Sequence, residues 1–366
     1  MEFQRILNLP NLLKKKSFFL FGPRASGKSY LINKQLPKAK VYDLLHAPTF
    51  ARLSRAPTLL QEESKENELI VIDEIQKLPK LLDEVHRLIE NSSRTFLLTG
   101  SSGLKLRKGG ANLLAGRAWE AQLFPLVSKE IDHFDLNRYL LVGGLPSIYP
   151  SEEPFEELFA YTSTYLKEEI QAQAAVRKFE PFVSFFDLIA SKVSEEVNFQ
   201  SLAEDCGVSP KSIRNYLQLL DDTLVAFLLP PYKKTKQRKA TSRAKFYFAD
   251  IGIGNSLSNI TSLSDATEHY GECFEQFIIL ELRAYLSYTR RREQLFFWRS
   301  QSGLEVDIVL GDKLAIEVKS TKHVQTKHLK GLKAFREEGL VKDYIIVSRD
   351  PEERLVDGIR VLPWQV

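Results

Sequence analysis

The octapeptide Gly22-Pro23-Arg24-Ala25-Ser26-Gly27-Lys28-Ser29 has the residue types and spacing to hold a polyphosphate. It fits G-x-x-x-x-G-K-S/T, with the apolar run Phe18-Phe19-Leu20-Phe21 before it and the helix-compatible Tyr30-Leu31-Ile32-Asn33-Lys34 after it. Glycines 22 and 27 let the backbone curve closely, so that successive N–H groups face an anion at a helix N-terminus. Lys28 offers a point charge to β- and γ-phosphates, and the Ser29 hydroxyl suits Mg²⁺. Residues 22–29 therefore predict a nucleoside triphosphate site.

A second apolar run, Leu69-Ile70-Val71-Ile72, ends in Asp73-Glu74. Four consecutive aliphatics suit a strand buried on both faces, and carboxylates at its C-terminal end stand where ligands bind in open α/β sheets. Asp73 is expected to hold Mg²⁺ and Glu74 to polarise the attacking water, which favours hydrolysis over binding alone. A third run, Thr95-Phe96-Leu97-Leu98-Thr99, leads into Gly100-Ser101-Ser102. A polar residue at that tip can contact the γ-phosphate or its water; Thr99 and Ser101 are the candidates, with Ser101 preferred. Arg117 is the candidate for neutralising γ-phosphate charge, in cis or across a subunit interface.

Near the other end, Gly303-Leu304-Glu305-Val306-Asp307-Ile308-Val309-Leu310 and Leu314-Ala315-Ile316-Glu317-Val318-Lys319 read as a hairpin across Gly311-Asp312. Residues two apart on a strand share a face, so Glu317 and Lys319 project together, with Asp307 expected beside them. Asp307 and Glu317 are candidate Mg²⁺ ligands, Lys319 would orient or deprotonate water, and Glu275 on an upstream amphipathic helix is a fourth member. This D…E-x-K set resembles the PD-(D/E)XK nuclease superfamily.

These residues need elements to position them. The N-terminal runs imply an α/β fold with a parallel sheet, followed by helical spacing after Pro150. From Asn198, Phe199, Leu202, Ala203 and Cys206 make one stripe, Gly207 a turn, and Ser209-Pro210 an N-cap and first helical position. The following helix turns Ile213, Leu217 and Leu220 inward and Lys211 and Arg214 outward, a helix-turn-helix pattern. After a strand at 225–229 comes the basic run Lys233-Lys234-Thr235-Lys236-Gln237-Arg238-Lys239, placed where a winged helix carries its wing. Lys211, Arg214, Lys233, Lys234, Lys236, Arg238 and Lys239 are thus candidate DNA contacts; a lid or oligomer contact is the competing use. A chain of 366 residues predicts two or three domains, and its net charge of +4 neither demands nor excludes an acidic partner. Cys206 and Cys273 fit neither a disulfide framework nor a zinc pattern, and no apolar run reaches bilayer length. A cytoplasmic protein with no membrane partner is the expectation.

Gly-Pro-Arg-x-x-Gly-Lys-Ser, Ile-Asp-Glu-Ile-Gln (72–76), Leu-Thr-Gly-Ser-Ser (98–102), Ala-Gly-Arg (115–117) and Val-Gly-Gly-Leu-Pro (142–146) together resemble prokaryotic AAA+ ATPases. The relatives in question carry a conserved C-terminal domain of unknown function with a restriction-nuclease-like fold. The resemblance covers nearly the whole chain and implies ATP and Mg²⁺ as ligands. It implies an ATPase domain at 1–150, a helical connector and winged helix at 151–250, and a nuclease-like domain at 251–366. The function expected is ATP hydrolysis coupled to cutting or gripping DNA, with a homo-oligomer compatible. The alternative is a nucleotide-switched signalling or scaffold ATPase whose C-terminal domains bind a protein partner without cleavage.

Overall fold

The computed structural model describes residues 2–100, 114, 116–166 and 180–366. They divide into two compact units: Met1–His133 with Leu145–Ser147 and Asp222–Val225, and Phe134–Gly144 with Ile148–Asp221 and Ala226–Val366.

In the first unit, β1 (Ser17–Phe21), β2 (Lys40–Asp43), β3 (Leu69–Asp73), β4 (Thr95–Gly100) and β5 (Ala118–Gln122) form one sheet in the order β2-β3-β4-β1-β5. All the pairings are parallel, with Phe18 against Leu97 and Trp119, and Ile72 against Leu98. Central strands of such a sheet are covered on both faces, which is why β1, β3 and β4 read as unbroken apolar runs. Ile70, Ile72, Phe96 and Leu98 are fully buried with Leu81, Val85 and Leu88 of α2 (Leu81–Asn91). The strand order matters for chemistry: β1 lies beside β4 and β4 beside β3, so their C-terminal ends gather residues 22, 73 and 99 at one edge. Helix α1 (Lys28–Gln35) starts from the loop after β1.

In the second unit, α3 (Phe199–Asp205) and α4 (Pro210–Asp222) form the expected helix pair. The Asn198 side chain caps α3 by accepting from Gln200 and Ser201 N–H, and Ser209 Oγ accepts from Ser212 N–H at 3.1 Å. Ile213, Leu217 and Leu220 are buried, as their spacing requires. Strands β6 (Ala226–Leu229) and β7 (Lys245–Phe248) pair antiparallel.

The 21-residue helix α5 (Glu268–Tyr288) precedes a mixed sheet. Its strands β8 (Leu295–Arg299), β9 (Glu305–Leu310), β10 (Leu314–Lys319), β11 (Asp343–Ser348), β12 (Arg354–Val356) and β13 (Ile359–Pro363) run in the order β12-β13-β11-β10-β9-β8. Trp298, Val306, Leu332, Phe335, Ile346 and Val361 make its core. Helix α6 (Lys330–Arg336) presses so closely on β9 that a Cβ at Gly331 would stand 1.7 Å from the Glu305 carbonyl oxygen.

The basic run departs from expectation. The β6–β7 connection does not project as a free hairpin but lies along β8. Tyr232 N–H donates to the Phe297 carbonyl at 2.7 Å, and Thr241 N–H to the Arg299 carbonyl at 2.8 Å. Between those points the buried Glu338 carboxylate accepts from the backbone N–H groups of Lys236, Gln237 and Arg238 at 2.7–2.9 Å. Burial pushes the Glu338 carboxyl up, but these three donors hold it below its ordinary range. The fold thus uses this run as an edge strap, whose backbone polar groups are satisfied by the sheet and one buried acid.

Candidate functional site

The phosphate loop is built as the residues demand. Ala25 and Gly27 are left-handed, with φ of 62° and 89°. A Cβ at Gly22 would stand 2.5 Å from the Leu123 carbonyl oxygen, so only glycine lets the loop leave β1 beside that backbone. Lys28 is buried and its Nζ donates to the carbonyls of Gly22 and Pro23 at 2.8 and 3.1 Å. The Ser26 hydroxyl is buried with no hydrogen-bond partner among the described residues. Pro23 and Arg24 complete the loop between Gly22 and the turn at 25.

Arg5, whose role the motif reading missed, braces the loop. Its guanidinium donates to the Ser26 carbonyl at 2.8 Å and to the Phe124 carbonyl, and pairs with buried Glu130 at 2.9 Å. Its signal was weak, because an arginine 21 residues before its partner has no spacing rule.

Ser29 Oγ donates to Asp73 Oδ2 at 3.1 Å, so the hydroxyl and carboxylate expected to share a magnesium ion are adjacent. The residues present fit Mg²⁺ with a triphosphate: a hydroxyl beside a carboxylate, a lysine folded over the loop, and an unpartnered buried hydroxyl at its centre. Thr99 is fully buried and ties the acids together; its hydroxyl donates to Asp73 Oδ1 and accepts from Glu74 N–H at 3.2 Å. Glu74 is itself left-handed, with φ 59° and ψ 45°, an unfavourable conformation for a non-glycine residue. Gln76 Nε2 donates to the Glu74 carboxylate. Thr99 therefore occupies the strand tip between the loop and the acids. Ser101, the preferred candidate, lies outside the described residues.

Arg117 stands elsewhere. Ala118 pairs with Ser17, at the N-terminal end of β1, whereas the loop follows Phe21 at its C-terminal end. Four residues of strand separate these edges, about 13 Å at the usual rise. Arg117 pairs there with Glu90, its Nε 2.9 Å from the carboxylate, and holds that carboxyl below its usual range. It does not reach the phosphate loop of its own chain.

In the second unit the hairpin brings Asp307, Glu317 and Lys319 together. Lys319 Nζ lies 2.6 Å from Glu317 and 3.6 Å from Asp307. The β9–β10 ladder ends at the Ile308–Ile316 pair, and Asp307 Oδ2 then accepts the Val318 N–H at 2.7 Å. Burial, then the neighbouring Asp307, pushes the Glu317 carboxyl up. Burial works against the charged Lys319, but Asp307 and Glu317 outweigh it and raise its pKa. Glu317 Oε2 is buried without a hydrogen-bond partner among the described residues, an orphaned carboxylate oxygen of the kind that a cation shared with Asp307 would satisfy.

Glu275 also reaches this centre, but as the partner of Lys245 rather than as a fourth metal ligand. Lys245, 3% exposed at the start of β7, lies 3.0 Å from Glu275 and also pairs with Glu305. The Tyr247 hydroxyl donates to the same Glu275 oxygen. Burial, followed by the charge of Asp307 against the opposing pull of Lys245, pushes Glu275 up to about 7. Among the described residues no group of three acids, histidines or cysteines has metal-binding geometry. Asp307 and Glu317 lie together beside Lys319, whereas Glu275 is drawn to Lys245. Lys245, Tyr247 and Glu305 escaped the motif reading; the faint signal was that Lys245 and Tyr247, two apart, share a strand face.

Of the expected nucleic-acid contacts, Lys211 and Arg214 are exposed on α4, with Arg214 over the Phe199 ring at 5.5 Å. Lys233, Lys234, Lys236 and Lys239 are exposed along the strap. Arg238 is not available in the same way, being paired with Glu337 and Glu338.

Residues 14–132 match an AAA domain. Two domains of unknown function follow it, DUF8612 over 133–264 and DUF4143 over 270–366. The N-terminal stretch is thus similar to an AAA domain, ahead of two stretches that match domains of unknown function. An uncharacterized protein of Mycobacterium tuberculosis is 27% identical over 318 residues, spanning 82% of this chain and 70% of its own length. One of Haemophilus influenzae is 24% identical over 331 residues, spanning 83% and 79%. The Thermotoga maritima RuvB Holliday junction branch migration motor overlaps 61% of this chain and 90% of its own, at 16% identity and a TM-score of 0.32. At that score the overlap carries no argument about this chain. Among the described residues no helix is long and apolar enough to cross a membrane.

Proposed function

We propose that this chain hydrolyses ATP at the AAA domain to drive a C-terminal unit that grips nucleic acid. The observation that carries the first half is the Ser29–Asp73–Thr99–Glu74 hydrogen-bond chain across the ends of β3 and β4. Lys28 and the loop N–H groups bind the phosphates, while Ser29 and Asp73 hold the magnesium ion, whose chemistry is to neutralise phosphate charge. Glu74 takes the proton of the attacking water, and Thr99 fixes the acids relative to each other. Arg117, remote from its own loop, is read as acting on the nucleotide of a neighbouring copy. Replacing Lys28 with Ala tests the site: ATP binding by calorimetry should fall at least tenfold, and unchanged affinity would remove the loop from the account.

The second half is supported by the exposed cations of α4 and the strap, and by the D…E-x-K centre. Asp307 and Glu317 would hold a magnesium ion, whose chemistry there would be to neutralise phosphate charge, and Lys319 would orient the water. One observation favours gripping over two-ion cutting. Lys245 and Lys319 already neutralise half of the four carboxylates Glu275, Glu305, Asp307 and Glu317. Incubating DNA and RNA with the full chain in Mn²⁺ separates the readings; cleavage lost in Asp307→Ala would assign a nuclease, and intact substrates support the grip.

A further inference from the structure

The C-terminal unit contains a cleft of about 430 Å³ beside the acidic centre, and the ATPase does not use it. One wall is the strap, with Lys239, Thr241 and Arg243; the other is the turn after β8, with Arg299 and Gln301; Glu196 closes it. The walls are joined by backbone pairing: besides the Thr241–Arg299 bond, Gln301 N–H donates to the Lys239 carbonyl at 3.1 Å. The backbone of the two walls is therefore fixed by main-chain bonding, and the exposed Lys239 and Arg243 side chains extend from it.

Its charge is the second observation. Lys239 and Arg243 are exposed and carry no ion pair among the described residues, and Arg299 is held only at 3.6 Å by Glu305. Three cations against the single carboxylate of Glu196 leave the lining at +2. No aromatic side chain lines it, which favours phosphate contacts over base stacking. Its volume lies near the small end for ligand sites, room for one or two nucleotides and not for a duplex. Arg299 touches Glu305, and Glu305 touches the buried Lys245, so the cleft borders the ion-pair network that surrounds the Asp307–Glu317–Lys319 centre.

We propose that this cleft seats the phosphates of single-stranded nucleic acid. The inference rests on the nucleic-acid reading above and names the part of the surface that does the holding. Its test is fluorescence anisotropy of labelled oligo(dT) and oligo(U) with the full chain across a salt series. Each neutralised phosphate contact contributes about 0.7 to the slope of log affinity against log salt, so K239Q/R243Q should lower it by about 1.4. The single variants, each lowering it by about 0.7, serve if the double variant loses its thermal transition. K14Q/K15Q, the same charge change on exposed lysines of the other unit, should keep the wild-type slope. Binding by the wild type with a slope that K239Q/R243Q leaves unchanged, or that K14Q/K15Q lowers equally, overturns the cleft and spares the nucleic-acid reading. A blunt duplex bound as tightly, with the same dependence on Lys239 and Arg243, overturns the single-strand assignment. Wild-type protein that binds no strand or duplex removes the nucleic-acid reading itself.

Discussion

Replacing Lys245 with Met removes the ammonium that stands between Glu275 and Glu305 while keeping most of the apolar stem. The lysine side chain is 4% exposed, Glu275 16% and Glu305 24%, so water can compensate the acids only in part. Breaking a buried ion pair by removing one partner costs about 3–5 kcal/mol, and the exposure of Glu305 places this site at about 3. Glu275 offers relief by taking a proton, since burial has already raised its pKa. A carboxyl whose folded pKa is raised loses stability as pH climbs from its unfolded value through its folded one. The K245M penalty should therefore be larger at pH 8 than at pH 6, and K245M/E275Q should recover much of it at pH 8. The assay is urea unfolding in a W119F background. Of the three tryptophans this leaves Trp298 and Trp364, both in the C-terminal unit, as reporters. Equal midpoints for wild type, K245M and K245M/E275Q at both pH values would refute the idea that Lys245 is the internal counter-ion of this centre.

Two further outcomes follow from the nucleotide site. Thr99→Ala removes a hydroxyl that donates to the Asp73 carboxylate and accepts from the Glu74 backbone N–H; a bond to a charged group is worth about 1.5–3 kcal/mol, so turnover should fall about ten- to a hundredfold with ATP affinity nearly unchanged, read by phosphate release. Arg117→Ala should be inactive alone, by about a thousandfold, yet regain turnover when mixed with Lys28→Ala protein that supplies the arginine from a neighbouring copy. Wild-type turnover by Arg117→Ala, or a mixture as inactive as its parts, would return Arg117 to a surface ion pair with Glu90.

What the sequence made legible follows from how local each signal is. Gly22 to Ser29 forms its site within eight residues, and Asp73-Glu74 follows directly from the strand that carries it, so both read from the chain alone. The hairpin set of Asp307, Glu317 and Lys319 read equally well, because the strand period fixes its geometry. The contacts that were missed join distant segments. Arg5 meets Phe124 across 119 residues, and Glu338 accepts from Lys236 across 102. Lys245 opens the apolar strand Lys245-Phe246-Tyr247-Phe248 with no local mark of burial, and only tertiary packing places it between two acids. The basic run was read as a wing because its charges are local, whereas the backbone bonds that strap it to β8 are not.

The central claim is that the acids beyond β3 make the AAA domain an ATP hydrolase with Glu74 as the water-activating base. Rapid-quench single-turnover hydrolysis of labelled ATP by Glu74→Gln tests it most directly. General-base catalysis contributes about 10²- to 10⁴-fold, so the variant should bind ATP within about twofold of wild type and hydrolyse it at least a hundredfold more slowly. Hydrolysis by Glu74→Gln at the wild-type rate would contradict the account.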